Sequence, residues 1–217
     1  MSSLLNRSIL VIGYTGGLGS HITNYLQAAG ATVLGASRAQ FDLSSEQSIE
    51  QFCAAVNTSS TAIDGLVLAA GQVAFGTISE TPTEISKGLM QVNFLGQISL
   101  VQKLLGKLNE SATAGKEPFI VSISGVIAEN PMAGMASYSA SKTALLGYAQ
   151  AAARELRKGG IRWIDARPGH TETGLANRAI FGNAPAFGAG LTPEQVAKRI
   201  VEAIVNDEKD LPSTSFK

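Results

Sequence analysis

Residues 8–19 read Ser8-Ile9-Leu10-Val11-Ile12-Gly13-Tyr14-Thr15-Gly16-Gly17-Leu18-Gly19, and this stretch decides the fold. Its apolar start predicts a buried strand, and the glycine-rich turn leads into a helix from about His21 to Ala29. Glycines let the chain turn sharply and let backbone N–H groups approach a phosphate at the helix N-terminus. The spacing Gly13-x-x-x-Gly17-x-Gly19 is not the common Gly-x-Gly-x-x-Gly fingerprint, so the turn favours nucleotide binding but is also compatible with a structural role.

Further apolar runs continue the pattern, at Thr32 to Ala36, Ile63 to Ala69, Phe119 to Ile123 and Ile161 to Ala166. They are apolar nearly throughout, which is typical of strands buried on both faces of a parallel sheet. Helical patterns lie between them, with start signals at Ser44-Ser45-Glu46-Gln47 and Thr192-Pro193-Glu194-Gln195. The alternation predicts an α/β fold, a Rossmann-like doubly wound parallel β-sheet with helices on both faces. No linker or repeat divides residues 1–217, so we expect a single domain.

The composition excludes several classes of protein. Hydrophobic residues make up 45% of the chain and the formal net charge is zero, which argues against nucleic acid as a partner. Cys53 is the only cysteine, so an intrachain disulfide and a cysteine-based zinc site are excluded, and no His, Asp and Glu cluster has metal-ligand spacing. The first strand begins too early for a signal peptide, and no long apolar stretch is present. We therefore expect a cytoplasmic protein without a membrane partner.

The run Ser137-Tyr138-Ser139-Ala140-Ser141-Lys142 places a phenol and an ammonium group four residues apart in a helical pattern that ends at Gly159-Gly160. Both side chains leave the same face of such a helix. An ammonium beside a phenol favours the phenolate, so we expect Lys142 to lower the pKa of Tyr138. A phenol tuned in this way can exchange protons with an alcohol or carbonyl oxygen.

The ordered motifs of this chain resemble those of the short-chain dehydrogenase/reductase family, from about Ser8 to Thr173. The matching motifs are Gly13-x-x-x-Gly17-x-Gly19, Ala69-Ala70-Gly71, Asn93, Tyr138-x-x-x-Lys142 and Pro168-Gly169. The resemblance implies a nicotinamide cofactor, hydride transfer between an alcohol and a carbonyl, and a small-molecule substrate. It also implies a homodimer or a homotetramer.

The resemblance further implies a role for each matched residue. Tyr138 falls on the general acid/base, Lys142 on the lysine that holds the nicotinamide ribose, and Asn93 on an asparagine that holds a relay water. The expected cofactor-binding residues are Gly13, Tyr14, Thr15, Gly17, Leu18, Gly19, Ser37, Arg38, Asp42, Leu43, Ala69, Ala70, Gly71, Tyr138, Lys142, Pro168, Gly169, Thr171 and Thr173.

One matched position departs from the family pattern. The family's substrate-binding serine lies thirteen residues before the tyrosine, where this chain has Gly125. Ser124 is adjacent, and although neighbouring strand residues point to opposite faces, the freedom of Gly125 could bring its hydroxyl into place. Losing an oxyanion donor typically costs ~10²–10³ in turnover. Either Ser124 is the fourth catalytic residue, or another group replaces it, or the protein is slow or inactive.

The end of the second strand predicts the cofactor. An NAD-specific site would carry an acidic residue there, whereas this chain has Ser37 and Arg38. Arg38 can bind a 2′-phosphate, so we expect NADP(H), with NAD(H) possible and a solvated loop arginine as the alternative explanation. The overall expectation is an NADPH-dependent oxidoreductase that interconverts a carbonyl and an alcohol. The competing hypotheses are a catalytically silent NADP(H)-binding regulatory protein and a structural partner subunit.

Overall fold

Five parallel strands form a single sheet in the computed structural model, which describes residues 3–216. The strands are β1 Ser8–Ile12, β2 Thr32–Ala36, β3 Gly65–Leu68, β4 Phe119–Ile123 and β5 Arg162–Ala166. Their spatial order is β2-β1-β3-β4-β5. Each predicted apolar run contains one of these strands, and the prediction of a Rossmann-like α/β fold is confirmed.

Helices cover both faces of the sheet. They are α1 Gly17–Ala28, α2 Glu46–Thr58, α3 Thr83–Met90, α4 Gly96–Thr113, α5 Ala136–Leu156 and α6 Pro193–Val205, and a π-helical segment, Gln91–Leu95, joins α3 to α4. The predicted capping box of α6 is present, with Thr192 and Gln195 as its partners. The predicted start of α2 was wrong by one residue, because Ser45 rather than Ser44 caps the helix by accepting from the Ser48 N–H.

The central strands β1 and β3 are buried on both faces, whereas the edge strand β2 is partly exposed. On one face Ile9 and Val11 of β1 pack with α1 and α6, and on the other Leu10 and Ile12 pack with α2, α4 and α5. These four side chains are at most 3% exposed. Since burying an aliphatic side chain contributes about 1.5–3 kcal/mol, the sheet centre is the main source of stability.

The topology places a crevice at one end of the sheet. β1 lies between β2 and β3, so the chain leaves β1 toward one edge of the sheet and later returns to the other side. The loops that follow these strands therefore separate above the carboxyl end of β1, where ligands of doubly wound folds bind. β2 is an edge strand that pairs with β1 alone, and no strand lies between Arg38 and Asp42 in the described chain.

No helix within residues 3–216 is both long enough and apolar enough to cross a lipid bilayer.

Gly13 is expected to be required for folding. Its φ is +82°, and a Cβ at this position would lie 2.9 Å from the Ala70 nitrogen. Gly13→Ala should therefore lower the free energy of unfolding by at least about 1–2 kcal/mol, the cost of a left-handed conformation in a residue with a side chain. The measurement is urea denaturation of the parent and the variant.

Gly106→Ala is the matched control, because Gly106 lies in α4 and a Cβ there would meet nothing within 4 Å. This change should raise the free energy of unfolding by up to ~1 kcal/mol. Equal losses in the two variants would contradict a specific role for Gly13.

Candidate active site

A cavity of about 480 Å³ opens at the carboxyl ends of the strands. Its walls come from the glycine-rich turn before α1, the loops after β2, β3, β4 and β5, and the first turns of α5. The volume lies in the range of sites that bind small molecules. The crevice that the topology provides is therefore large enough to hold a small molecule.

The start of α1 is held by close backbone contacts. A Cβ on Gly17 would lie 2.5 Å from the Thr173 carbonyl oxygen, and a Cβ on Gly19 would lie 2.1 Å from the Gly13 oxygen. Gly16 is the N-cap residue, no side chain caps the helix, and its first turn carries no acidic residue. The N–H groups of this turn thus have no side-chain partner at the cavity wall, an arrangement that suits an anion such as phosphate.

Most of the expected cofactor-binding residues line this cavity. They are Gly13, Thr15, Gly17, Leu18, Ser37, Arg38, Asp42, Leu43, Ala69, Ala70, Gly71, Tyr138, Lys142, Pro168, Gly169, Thr171 and Thr173. Tyr14 and Gly19 lie off the wall. The Tyr14 ring packs over Gly35 of β2, where a Cβ would come within 2.6 Å of it, and Gly19 packs on the Gly13 carbonyl. Their role is to shape the turn rather than to form the cavity surface.

Charged side chains meet at the β2 end of the cavity. The Arg38 side chain is 78% exposed, and its Nη2 lies 3.6 Å from Asp42 Oδ2. The backbone N–H of Ser44 lowers the pKa of the Asp42 carboxyl, and Arg38 adds to the effect. The Ser37 hydroxyl donates to Gln40 Oε1. Arg38 is thus an accessible cation beside the cavity, while the hydroxyl of Ser37 already has an acceptor.

Tyr138 and Lys142 project from the start of α5 into the cavity wall, as their spacing predicts. Lys142 Nζ lies 6.0 Å from the centroid of the Tyr138 ring and donates to the Ile123 carbonyl oxygen at 2.7 Å. Lys142 is only 6% exposed. The phenol and the ammonium group are close enough to share one substrate-binding region.

The direction of the Tyr138 pKa differs from the sequence expectation. Burial raises the pKa of Tyr138 to about 12, and Lys142 does not offset this effect because its ammonium group is bound to a carbonyl rather than to the phenol. Burial also lowers the pKa of Lys142 to about 8, while the nearby carboxylate of Asp165 acts in the opposite direction. At neutral pH the phenol therefore carries its proton and is a donor.

Asn93 lies in the π-helical segment, behind the cavity wall. Its Oδ1 accepts from the Gln72 N–H at 2.8 Å, and its Nδ2 donates to the Gln72 oxygen at 2.9 Å and to Ser141 Oγ at 3.0 Å. π-Helical turns are frequent at functional sites because they widen the helix locally. The Asn93 amide here joins the loop after β3 to α5. A relay water held by Asn93 stays a prediction.

The Ser124 hydroxyl is directed to a buried carboxylate. Ser124 is fully buried, and its Oγ donates to Asp165 Oδ1. Gly125 does adopt an unusual conformation, with φ +77°, and a Cβ there would meet no neighbour closer than the Pro168 oxygen at 3.7 Å. Ser124 contributes to the cavity wall, but its proton is engaged by Asp165. A catalytic role for Ser124 stays a prediction.

Asp165 is the centre of a polar cluster beneath the cavity. Its carboxylate also accepts from Ser122 Oγ at 2.6 Å and lies 3.4 Å from Arg167 Nη1. Burial raises the pKa of Asp165 against the effect of both serines. Arg167 binds Asp210 through two parallel bonds of 2.8 and 2.7 Å. The cluster fastens the end of β5 to the C-terminal segment.

The remaining wall of the cavity is apolar. Val73, Phe75, Ile127 and Met135 form a buried cluster, and the partly buried side chains of Tyr138, Leu175 and Phe187 pack against it. His170 stacks on Phe187 with ring centroids 4.5 Å apart, and its Nε2 lies 3.3 Å from Glu172 Oε1. The resemblance places His170 in the Pro168-Gly169 loop near the expected nicotinamide and favours a role in backbone positioning over acid–base chemistry, and this role stays a prediction.

No group of three or more His, Cys, Asp or Glu side chains within residues 3–216 is arranged to hold a metal ion.

Comparisons with known proteins identify the family of this chain. A family model described as short chain dehydrogenase matches residues 35–180. The mouse protein named dehydrogenase/reductase SDR family member 7B is 26% identical over 98% of this chain and 75% of its own length. An Anopheles gambiae protein named dehydrogenase/reductase SDR family protein 7-like is 28% identical over 96% of this chain and 75% of its own length.

Two solved structures share the fold. A 3-ketoacyl-(acyl-carrier-protein) reductase from Brucella melitensis, complexed with NADH, superposes with a TM-score of 0.85 at 21% identity, over 97% of both chains. A short chain dehydrogenase from Burkholderia cenocepacia, in complex with NADP, superposes with a TM-score of 0.81 at 18% identity, over 98% of this chain and 90% of its own.

Proposed function

Because this chain belongs to the short-chain dehydrogenase family of oxidoreductases, we propose that it is an NADP(H)-dependent enzyme that interconverts an apolar carbonyl compound and its alcohol. The observation that carries the proposal is the placement of Tyr138 and Lys142, on one turn of α5, in the same cavity as the open start of α1. The apolar cluster around Phe75 and Met135 supports an apolar substrate, because it offers carbon surface beside the phenol.

The residues of the cavity fit a dinucleotide. The bare backbone at Gly16 and Gly17 would hold the pyrophosphate, Lys142 would hold a ribose hydroxyl, and Arg38 would hold the 2′-phosphate. Two arginines and a lysine line the cavity, with Asp42 as the one carboxylate among the lining side chains of the described chain. Such an excess of positive charge favours a ligand that carries several phosphate charges. When bound, the nicotinamide supplies or accepts the hydride.

Tyr138 would act on the oxygen of the substrate. A phenol that keeps its proton at neutral pH can donate it to a carbonyl oxygen as that oxygen gains negative charge. Lys142 is the nearest cation, and an ammonium group beside the resulting phenolate stabilises it and can return a proton. In the direction of alcohol oxidation the same groups would take the proton away.

Removal of the phenol is the test of this function. Tyr138→Phe should lower carbonyl reduction by at least about 10²-fold, the usual contribution of a general acid, without weakening NADPH binding. The measurement is NADPH consumption with a panel of apolar ketones, aldehydes and quinones, together with the dissociation constant of NADPH.

Tyr148→Phe is the matched control. The Tyr148 hydroxyl accepts from Gln102 Nε2 at 3.3 Å, and its ring packs edge-on against Trp163 in the core behind the site. This variant should keep its turnover. Full activity of Tyr138→Phe would refute the assigned role.

The pKa of Lys142 predicts how the rates of reduction and oxidation depend on pH. Because the pKa of Lys142 is about 8, the ammonium group is present below this pH and is lost above it. Reduction consumes a proton, so its kcat/KM, which reports the pKa values of the free enzyme, should be level below about pH 8 and fall above it, whereas kcat/KM for alcohol oxidation should rise. The measurement is kcat/KM in both directions from pH 6 to 10, with Lys158→Ala, a change in an exposed lysine, as a control that keeps the profile. A fall in reduction that begins only near pH 10 would be inconsistent with this assignment.

Arg38 predicts the choice of cofactor. Arg38→Ala should raise the KM for NADPH about 10- to 100-fold, since hydrogen bonds to charged groups contribute ~1.5–3 kcal/mol, and should spare the KM for NADH. Steady-state kinetics with the two cofactors gives both values. Equal increases for NADPH and NADH would contradict a contact with the 2′-phosphate, and unchanged values for both would assign Arg38 to the solvated surface.

A second candidate, a catalytically silent NADP(H)-binding regulatory protein, is favoured by one observation. Position 125 has no hydroxyl, and the neighbouring Ser124 is engaged by Asp165. NADPH binding without turnover across the substrate panel would select this candidate.

A further inference from the structure

The segment of residues 174–190 follows the loop after β5 and carries an arginine that has no assigned role. Arg178 ends a short 3₁₀ turn, Ala176–Arg178, and its exposed side chain borders the cavity. No carboxylate within residues 3–216 lies within ion-pair distance of its guanidinium group. Arg178 is therefore a cation at the cavity without a counter-charge among the residues that the structure describes.

One carbonyl oxygen locates the guanidinium group relative to α1. The Thr173 oxygen would be 2.5 Å from a Cβ on Gly17, in the first turn of α1. The same oxygen lies 3.5 Å from Arg178 Nη2. The Thr173 carbonyl thus contacts both the start of α1 and the guanidinium group, which places the cation near the first turn of the helix.

Gly174 makes this position accessible. Its φ is +71°, and a Cβ there would lie 3.3 Å from Arg178 Nη1. The side chain of Arg178 folds back across the bare backbone of Gly174 toward Thr173. A residue with a side chain at position 174 would be strained by the backbone angle and would crowd the guanidinium group.

We propose that Arg178 is a pyrophosphate-binding residue, which holds the phosphates of the dinucleotide together with the N-terminus of α1. This inference rests on the proposed function, since it requires a dinucleotide in the cavity. A planar guanidinium offers two parallel N–H groups that match two phosphate oxygens. The helix N–H groups and the arginine together would surround the anion with donors.

The contact would also connect the cofactor to the substrate region. Leu175 and Phe187 belong to the same segment as Arg178, and like Tyr138 they pack against the apolar cluster around Phe75 and Met135. A phosphate held by Arg178 would therefore restrain the segment that forms one wall of the substrate pocket.

The test is equilibrium binding by titration calorimetry of NADPH, NADH and ADP-ribose to the parent, Arg178→Ala and Arg38→Ala. Arg178→Ala should weaken all three ligands by a similar factor, about 10- to 100-fold, because they share the pyrophosphate. Arg38→Ala should weaken NADPH alone. Arg178→Lys should recover part of the affinity, since it keeps the charge without the fork of N–H groups.

Arg157→Ala, a change in an exposed arginine just after α5 and away from the cavity, is the matched control and should bind as the parent does. If the parent binds NADPH and NADH and Arg178→Ala binds both within twofold of the parent, the inference is overturned while the proposed function stands. A loss confined to NADPH would also overturn it, by assigning Arg178 to the 2′-phosphate. A parent that binds none of the ligands would overturn the proposed function and this inference together.

Discussion

Contact between backbones at the start of α1 is the constraint on which the rest of the structure depends. Gly13, Gly17 and Gly19 each lie where a Cβ would come within 3 Å of another backbone atom. These contacts bring the end of β1, the loop after β3 and the loop after β5 to one point. In a doubly wound sheet the loops separate above the carboxyl end of β1. Here the close contacts of the glycines hold these loops near the N-terminus of α1, which no side chain caps. The cavity is therefore a product of backbone geometry before any side chain contributes.

Buried charge is the second organising feature. Lys142, Asp165 and Arg167 are all less than 10% exposed, and each charge is compensated by a neighbour or by a carbonyl. Burying charged groups is costly unless they are paired, so the cluster restricts how the ends of β4 and β5 can be arranged. The same desolvation sets the acid–base behaviour of the site. It raises the pKa of Tyr138 and lowers the pKa of Lys142, and both shifts favour the neutral form of the side chain.

The strands could be predicted because they are short, mainly apolar runs that alternate with helical patterns, which is typical of a covered parallel sheet. The Tyr138 and Lys142 pair could be predicted because helix spacing fixes which side chains share a face. Contacts between segments that are distant in sequence could not be predicted. Tyr14 lies in the glycine-rich turn but packs on Gly35 of β2, and Arg178 reaches the cavity through tertiary packing that no local pattern predicts. The pKa direction of Tyr138 depends on burial, which spacing alone does not reveal.

The conformation of Gly125 has a consequence for anyone who would redesign this protein. There is space at position 125 for a Cβ, since the first atom that it would meet is 3.7 Å away. The obstacle is the backbone, because a φ of +77° costs an L-amino acid with a side chain about 1–2 kcal/mol. A change of Gly125 to serine would therefore place the new hydroxyl on a strained turn after β4. A redesign that relaxes this turn first would introduce the same hydroxyl without that cost.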